Sequence, residues 1–170
     1  MEKRDLYDIN KKLTGETIYK GESVPPNRYY LVVSVFIQNS KGEFLIQKRS
    51  IQKDGKYAST GGHPKSGESS IQGMCTEIQE ELGLIVTEQE LELLYSGRKD
   101  SKQIFFDIYY LKKDFSIKEL TLQKEEVEFV EWNSISQINE LINNNLFLEN
   151  HTEEFYKMLD IFKKRGVCIE

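Results

Sequence analysis

A chain of 170 residues, 38% of them apolar and 11% aromatic, is long enough for one domain with a substantial core and too apolar to stay disordered. Its 23 Lys and Arg against 28 Asp and Glu give a formal charge of −5. It therefore does not live on non-specific attraction to nucleic-acid phosphates, no specific nucleic-acid partner is expected, and an anionic ligand must be met by a local site or a metal.

Residues 1–28 read as an N-terminal hairpin extension. Leu6 to Lys20 carries turn signals at Asn10-Lys11-Lys12 and Thr14-Gly15, and Pro25-Pro26-Asn27 closes the segment. It is too short for a domain of its own and is expected to add strands to a sheet edge or to a second copy, so a homodimer is allowed for. Tyr29 to Gln38, rich in Tyr, Val, Ile and Phe, is a strand. Its apolar part, Leu31 to Ile37, is broken by Ser34 and far too short to cross a bilayer, so no membrane association is expected. Asn39 to Gly42 is a turn, Glu43 to Arg49 a second strand, Lys53-Asp54-Gly55 a turn, and Gly61 to Gly67 a loop.

A helix is predicted from Ser70 to Leu82, opened by a capping box of Ser69 with Gln72 and stopped at Gly83. Strands follow at Leu91–Ser96, Ile104–Leu111 and Val127–Trp132. Ser134 with Gln137 opens a short helix that ends at the Asn143-Asn144-Asn145 run, and Glu153 to Lys164 forms a last amphipathic helix with Phe155, Met158, Leu159 and Phe162 on one side. Strands mixed with a few helices imply an α/β domain. Cys75 and Cys168 are the only cysteines, with no CxxC pair, which reads as a reduced, cytoplasmic protein.

Chemistry concentrates between Gly62 and Leu84. At about 100° per residue, Ile71, Met74, Cys75, Ile78 and Leu82 fall on one side of the helix, and Glu77, Glu80 and Glu81 fall together on another. Three acids within about one turn repel each other. A hard divalent cation offsets that repulsion, because Mg²⁺ takes oxygen ligands and keeps waters and phosphates in its shell. A solvated acidic face is the plainer explanation of Glu-Ile-Gln-Glu-Glu taken alone. Gly61-Gly62, which allow close backbone approach, and Glu68, set just before the helix start, shift the balance toward a site. Cys75 lies on the apolar stripe and reads as core, as do Trp132 and the Tyr29-Tyr30 pair.

This segment resembles the box of the Nudix hydrolase family: Gly, five residues, Glu, seven residues, Arg-Glu, an aliphatic, any residue, Glu-Glu, any residue, Gly, an aliphatic. Gly62, Glu68, Glu77, Ile78, Glu80, Glu81, Gly83 and Leu84 stand at those spacings, so six of seven fixed letters match, and Thr76 stands at the Arg position. The resemblance implies an α/β/α sandwich around a mixed β-sheet over residues 29–165. It also implies Mg²⁺-dependent hydrolysis, with Mn²⁺ as a substitute, of a small-molecule diphosphate of nucleoside-diphosphate or other organic type. Glu77, Glu80, Glu81 and the Gly62 carbonyl would hold the metal. Glu77 or Glu80 would act as base, with Glu126 as the alternative. Arg49, His63 and Lys65 would contact substrate, though His63 reads equally well as a loop histidine bonded to backbone. Lys65 or Arg49 would stand in for the missing Arg.

A narrower resemblance links Tyr7-Asp8, Leu45 to Ser50, Gly62-His63-Pro64 and Glu125-Glu126-Val127 with Trp132 to the subgroup around type I isopentenyl-diphosphate isomerase. That isomerase carries a catalytic Cys just before its Gly-His-Pro, where this chain has Gly61, and leans on histidines, of which this chain has only His63 and His151. Thr76 keeps open a third reading, a Nudix domain that binds a ligand without turning it over.

Overall fold

The computed structural model describes residues 2–169. Strands β1 (Lys3–Tyr7) and β2 (Leu13–Tyr19) form a separate antiparallel hairpin. The main sheet holds β3 (Tyr30–Gln38), β4 (Phe44–Arg49), β5 (Tyr57–Ala58), β6 (Thr60–Gly62), β7 (Glu92–Lys99), β8 (Ile104–Lys112) and β9 (Val127–Asn133). Three helices complete the fold: α1 (Ser70–Leu82), α2 (Ile135–Asn143) and α3 (Glu149–Lys164). Strand β3 runs parallel to β8 and antiparallel to β4 and β6, β4 also pairs with β5 and β9, and β7 closes the other edge against β8. The sheet is thus mixed, with helices on the outside: the expected α/β/α sandwich.

The pairing explains the sequence of β3. A strand flanked on both sides and covered on both faces loses the polar alternation of a surface strand. Val33, Val35 and Ile37 enter the core under α1 with Met74, Ile78 and Leu82, while Phe36 joins Phe44, Phe155 and Met158 under α3. Met74, Ile78 and Leu82 are fully buried, each worth roughly 1.5–3 kcal/mol. Replacing Ile78 by Asp would place a charge in this layer and break it. Ser69 caps α1 in a reciprocal box with Gln72, and Gly83 ends it in a left-handed conformation. The Ser134–Gln137 box opens α2 as expected.

Several boundaries differ from the sequence reading. Two short strands lie at Tyr57–Ala58, where no element is expected, and at Thr60–Gly62, which runs into the expected loop, and α3 starts at Glu149 rather than Glu153. The hairpin does not lengthen an edge of the main sheet; a single bridge, Tyr7 to Tyr29, ties it to the approach to β3. Thr14-Gly15 lies inside β2 rather than in the turn. Side chains anchor the hairpin: Lys11 Nζ reaches the buried Asp107 Oδ1 at 2.6 Å, and Asp107 in turn accepts from Ser70 at the start of α1. Asp5 accepts from Ser66 Oγ at 2.6 Å and from the Gly67 N–H at 2.8 Å. The hairpin therefore grips the loop that leads into α1.

Candidate active site

The loop after β6 brings the chain back over α1. Gly62 sits against Glu77: a side chain at 62 would run into the Glu77 carboxylate. That closeness lets the His63 N–H donate to Glu77 Oε1 at 2.9 Å. Glu68 closes the loop from below, accepting from the Lys65 N–H at 2.8 Å and from Thr76 Oγ1 at 2.7 Å. At the position where the family box has Arg, the uncharged Thr76 hydroxyl therefore donates a single hydrogen bond to Glu68. Lys65, one of the expected stand-ins, forms an ion pair with Glu80.

Glu77, Glu80 and Glu81 line one cleft of about 190 Å³, together with Glu126 from the loop before β9. Their surroundings differ. Glu80 is exposed and turned to Lys65. Glu126 pairs with Lys53 at 2.7 Å. Glu77 is half-buried; burial pushes its carboxyl up to about 7, with the Glu80 and Glu2 carboxylates adding to the rise and the His63 N–H opposing it. Glu81, expected outside the apolar stripe, turns inward and is 6% exposed. Burial, then the Glu77 charge, raises it to about 8, and its Oε2 has no partner. Among the described residues no three acids or histidines stand ready-arranged as a metal-binding group. The donor chemistry nonetheless fits a hard cation: three carboxylates border one cleft beside the backbone of Gly62, and one of them holds a buried, unpartnered oxygen.

The same cleft also carries cations. Arg49 lines the cleft and holds Asp54 through Nε at 2.9 Å. Lys53 and Lys20 line it too, and neither was singled out from the sequence; nor were Glu2 and Gln123. Lys53, four residues beyond Arg49 at the same strand end, offered a local signal. Lys20 offered none, because only the fold brings the hairpin to this cleft. His63 is held neutral: burial, then the Arg4 and Lys20 charges, lowers it to about 3. Its ring packs on Tyr30 with centroids 5.5 Å apart. Lys65 does not border the cleft and acts on it through Glu80.

The preceding glycine has its own constraint. A Cβ at Gly61 would stand 2.6 Å from the Val33 carbonyl oxygen and 3.2 Å from Ser34 Cα. This backbone leaves no room for a cysteine there without moving β3.

A model of the NUDIX domain matches residues 28–157. The chain belongs to this family. It is 40% identical over 131 residues to an uncharacterized Nudix hydrolase of Listeria monocytogenes, covering 75% of this chain and 76% of the relative. An isopentenyl-diphosphate Delta-isomerase of Pectobacterium atrosepticum is 26% identical over 140 residues, 79% of this chain and 78% of that one. Among solved structures, DR0079 from Deinococcus radiodurans superposes with a TM-score of 0.69 at 22% identity, covering 86% of this chain and 91% of that one. This Nudix chain thus carries Glu77, Glu80 and Glu81 of the box on the expected helix, with Thr76 as its departure from the box and Gly61 as its departure from the isomerase. Among the described residues no helix is long and apolar enough to cross a membrane.

Proposed function

We propose that this Nudix protein hydrolyses a diphosphate joined to an organic group, with a divalent cation, Mg²⁺ or Mn²⁺, as cofactor. The reading rests on one arrangement: Glu77, Glu80, Glu81 and Glu126 share a single cleft with Lys20, Arg49 and Lys53. Glu77, Glu80, Glu81 and the Gly62 carbonyl would hold the cation, which supplies charge neutralisation and a more acidic water. The chain's own groups do the rest. Arg49, Lys53 and Lys20 bind and orient the diphosphate oxygens. Water adds to one phosphorus, the bridging P–O bond breaks, and the proton goes to a carboxylate. Glu77, fixed by the His63 N–H, and Glu80 are the candidate bases on the helix; Glu126, from the loop before β9, borders the same cleft. Lys65 positions Glu80 in place of the box Arg.

Gly61 speaks against isomerase chemistry, since the position of the isomerase cysteine admits no side chain here. The test is phosphate release from a panel of nucleoside and alkyl diphosphates with Mg²⁺. Release that stops on adding a chelator is expected. Metal binding without release from any member would favour a ligand-binding module instead.

A further inference from the structure

Ser50 follows the last residue of β4 and is bonded to the segments on both sides of it. The ladder between β4 and β9 slips by one residue at this end: Lys48 lies opposite Phe129, but Arg49 lies opposite Val127. A bulge of this kind bends a strand and re-aims its end. Beyond it, the Ser50 N–H donates to the Glu126 carbonyl at 2.9 Å, and Ser50 Oγ donates to the Glu125 carbonyl at 2.7 Å. The hydroxyl thus adds one more rung after the strands have ended, and the rung is buried.

The Ser50 carbonyl holds the other segment. It accepts the N–H groups of Lys53, Asp54 and Gly55 at 3.0, 3.3 and 3.2 Å. These bonds fold residues 50–55 into a tight turn and fix the point at which Lys53 leaves it. Asp54 then accepts from Arg49 and from the Lys56 N–H, which ties the turn to its own strand end. The loop before β9 is anchored at its far side: the Thr121 and Gln123 N–H groups donate to the carbonyls of Leu82 and Glu81 in the last turn of α1, both at 3.0 Å. Glu126 therefore hangs between the helix that carries the box acids and Ser50. Lys53 Nζ meets its carboxylate at 2.7 Å.

A cation that orients a phosphate oxygen and a carboxylate that acts beside it need a fixed separation, because a small misplacement costs rate steeply. Lys53 and Glu126 border the same cleft, and Ser50, which does not line it, is bonded to the segments that carry both. We infer that Ser50 is a positioning residue, whose hydroxyl on the Glu125 carbonyl sets Glu126 and Lys53 in register at the cleft. This rests on reading the cleft as a diphosphate site.

The test is a pair of double-mutant cycles on the full chain. The first reads binding alone, by calorimetric titration with methylene diphosphonate in the presence of Mg²⁺; this probe has no bridging oxygen to cleave. Ser50→Ala should weaken its binding about threefold or more, and on a Lys53→Met background the same change should cost less than about 1.5-fold. The second reads kcat for phosphate release from the organic diphosphate that is turned over fastest. Ser50→Ala should lower kcat about tenfold, and on a Glu126→Gln background less than about twofold. Ser134→Ala, which removes the cap of α2, should leave both readouts unchanged. Should Ser50→Ala not fold, Ser50→Cys takes its place in both cycles, because a thiol is a weak donor. A general loss of structure would lower both readouts on every background. Losses that persist on either background, wild-type affinity and rate without the hydroxyl, or no binding of the diphosphonate by the wild type would overturn the inference. The expected binding cycle without release from any diphosphate would sink the hydrolase reading and leave Ser50 its role; release that is indifferent to Ser50 would do the reverse.

Discussion

Two glutamates lie buried on opposite faces of the same sheet, Glu81 on α1 and Glu154 on α3, and each has a carboxylate oxygen without a partner. Their neighbours differ. Glu81 sits against a second acid, Glu77, so burial and like charge act together on it. Glu154 is raised to about 7 by burial, with Lys99 and the Ser34 hydroxyl pulling the other way; its acidic neighbour Glu153 is exposed and paired to Lys99. A cluster of acids is relieved by a cation, whereas a single buried carboxyl is relieved by a proton or by one good hydrogen-bond donor. The same residue type thus meets two different electrostatic demands, according to how many like charges surround it.

The contrast breaks first at the chemistry. Glu77→Gln should cut turnover about 10²–10⁴-fold if Glu77 takes the proton, whereas Glu154→Gln, outside the carboxylate cleft, should leave turnover near the wild-type rate; steady-state kinetics on both variants separates the two sides. The next effect is on stability. An unfolded carboxyl loses its proton near 4.5 and folded Glu154 near 7, so between these values the unfolded chain holds fewer protons and stability falls as pH rises. Glu154→Gln should remove that slope and leave the variant more stable at pH 8 by up to roughly 3 kcal/mol, read from denaturant midpoints across pH. Mg²⁺ should raise the wild-type melting temperature and leave Glu81→Gln unmoved, since the proposed cation site lies on the α1 side; equal stabilisation of both would erase the distinction. Gly61→Ala should cost about 1–3 kcal/mol through its clash with the Val33 carbonyl. Smallest of all, Thr76→Val should cost about 1 kcal/mol, the worth of its hydrogen bond to Glu68.

Helix α1 was legible because local rules agree on it: a capping box at Ser69 and Gln72, an apolar stripe, and Gly83 to end it. The parallel pairing of β3 with β8 was not, since it joins residues some seventy positions apart and leaves no local mark. Strands β5 and β6 were hidden by their length and by Gly61-Gly62, which read as loop. The site divides in the same way. The box acids stand at fixed spacing in one segment, while Lys20 reaches the cleft only through the hairpin's tertiary anchoring. Glu154 did leave a signal. It shares the i, i+4, i+8 row with Met158 and Phe162, the buried face of α3, so an acid there is out of place on helical period alone.

The grip of Asp5 on Ser66 and Gly67 bears on where this protein can safely be cut. The family match begins at residue 28, a natural place to trim for expression or to join another domain. Such a cut would remove Lys20 from the lining of the cleft, the Asp5 clamp from the loop, and Lys11 from the buried Asp107. What remained would keep every letter of the sequence motif and lose part of the lining of the cleft beside it, so the structural unit around the motif extends upstream of the stretch that the family match recognises.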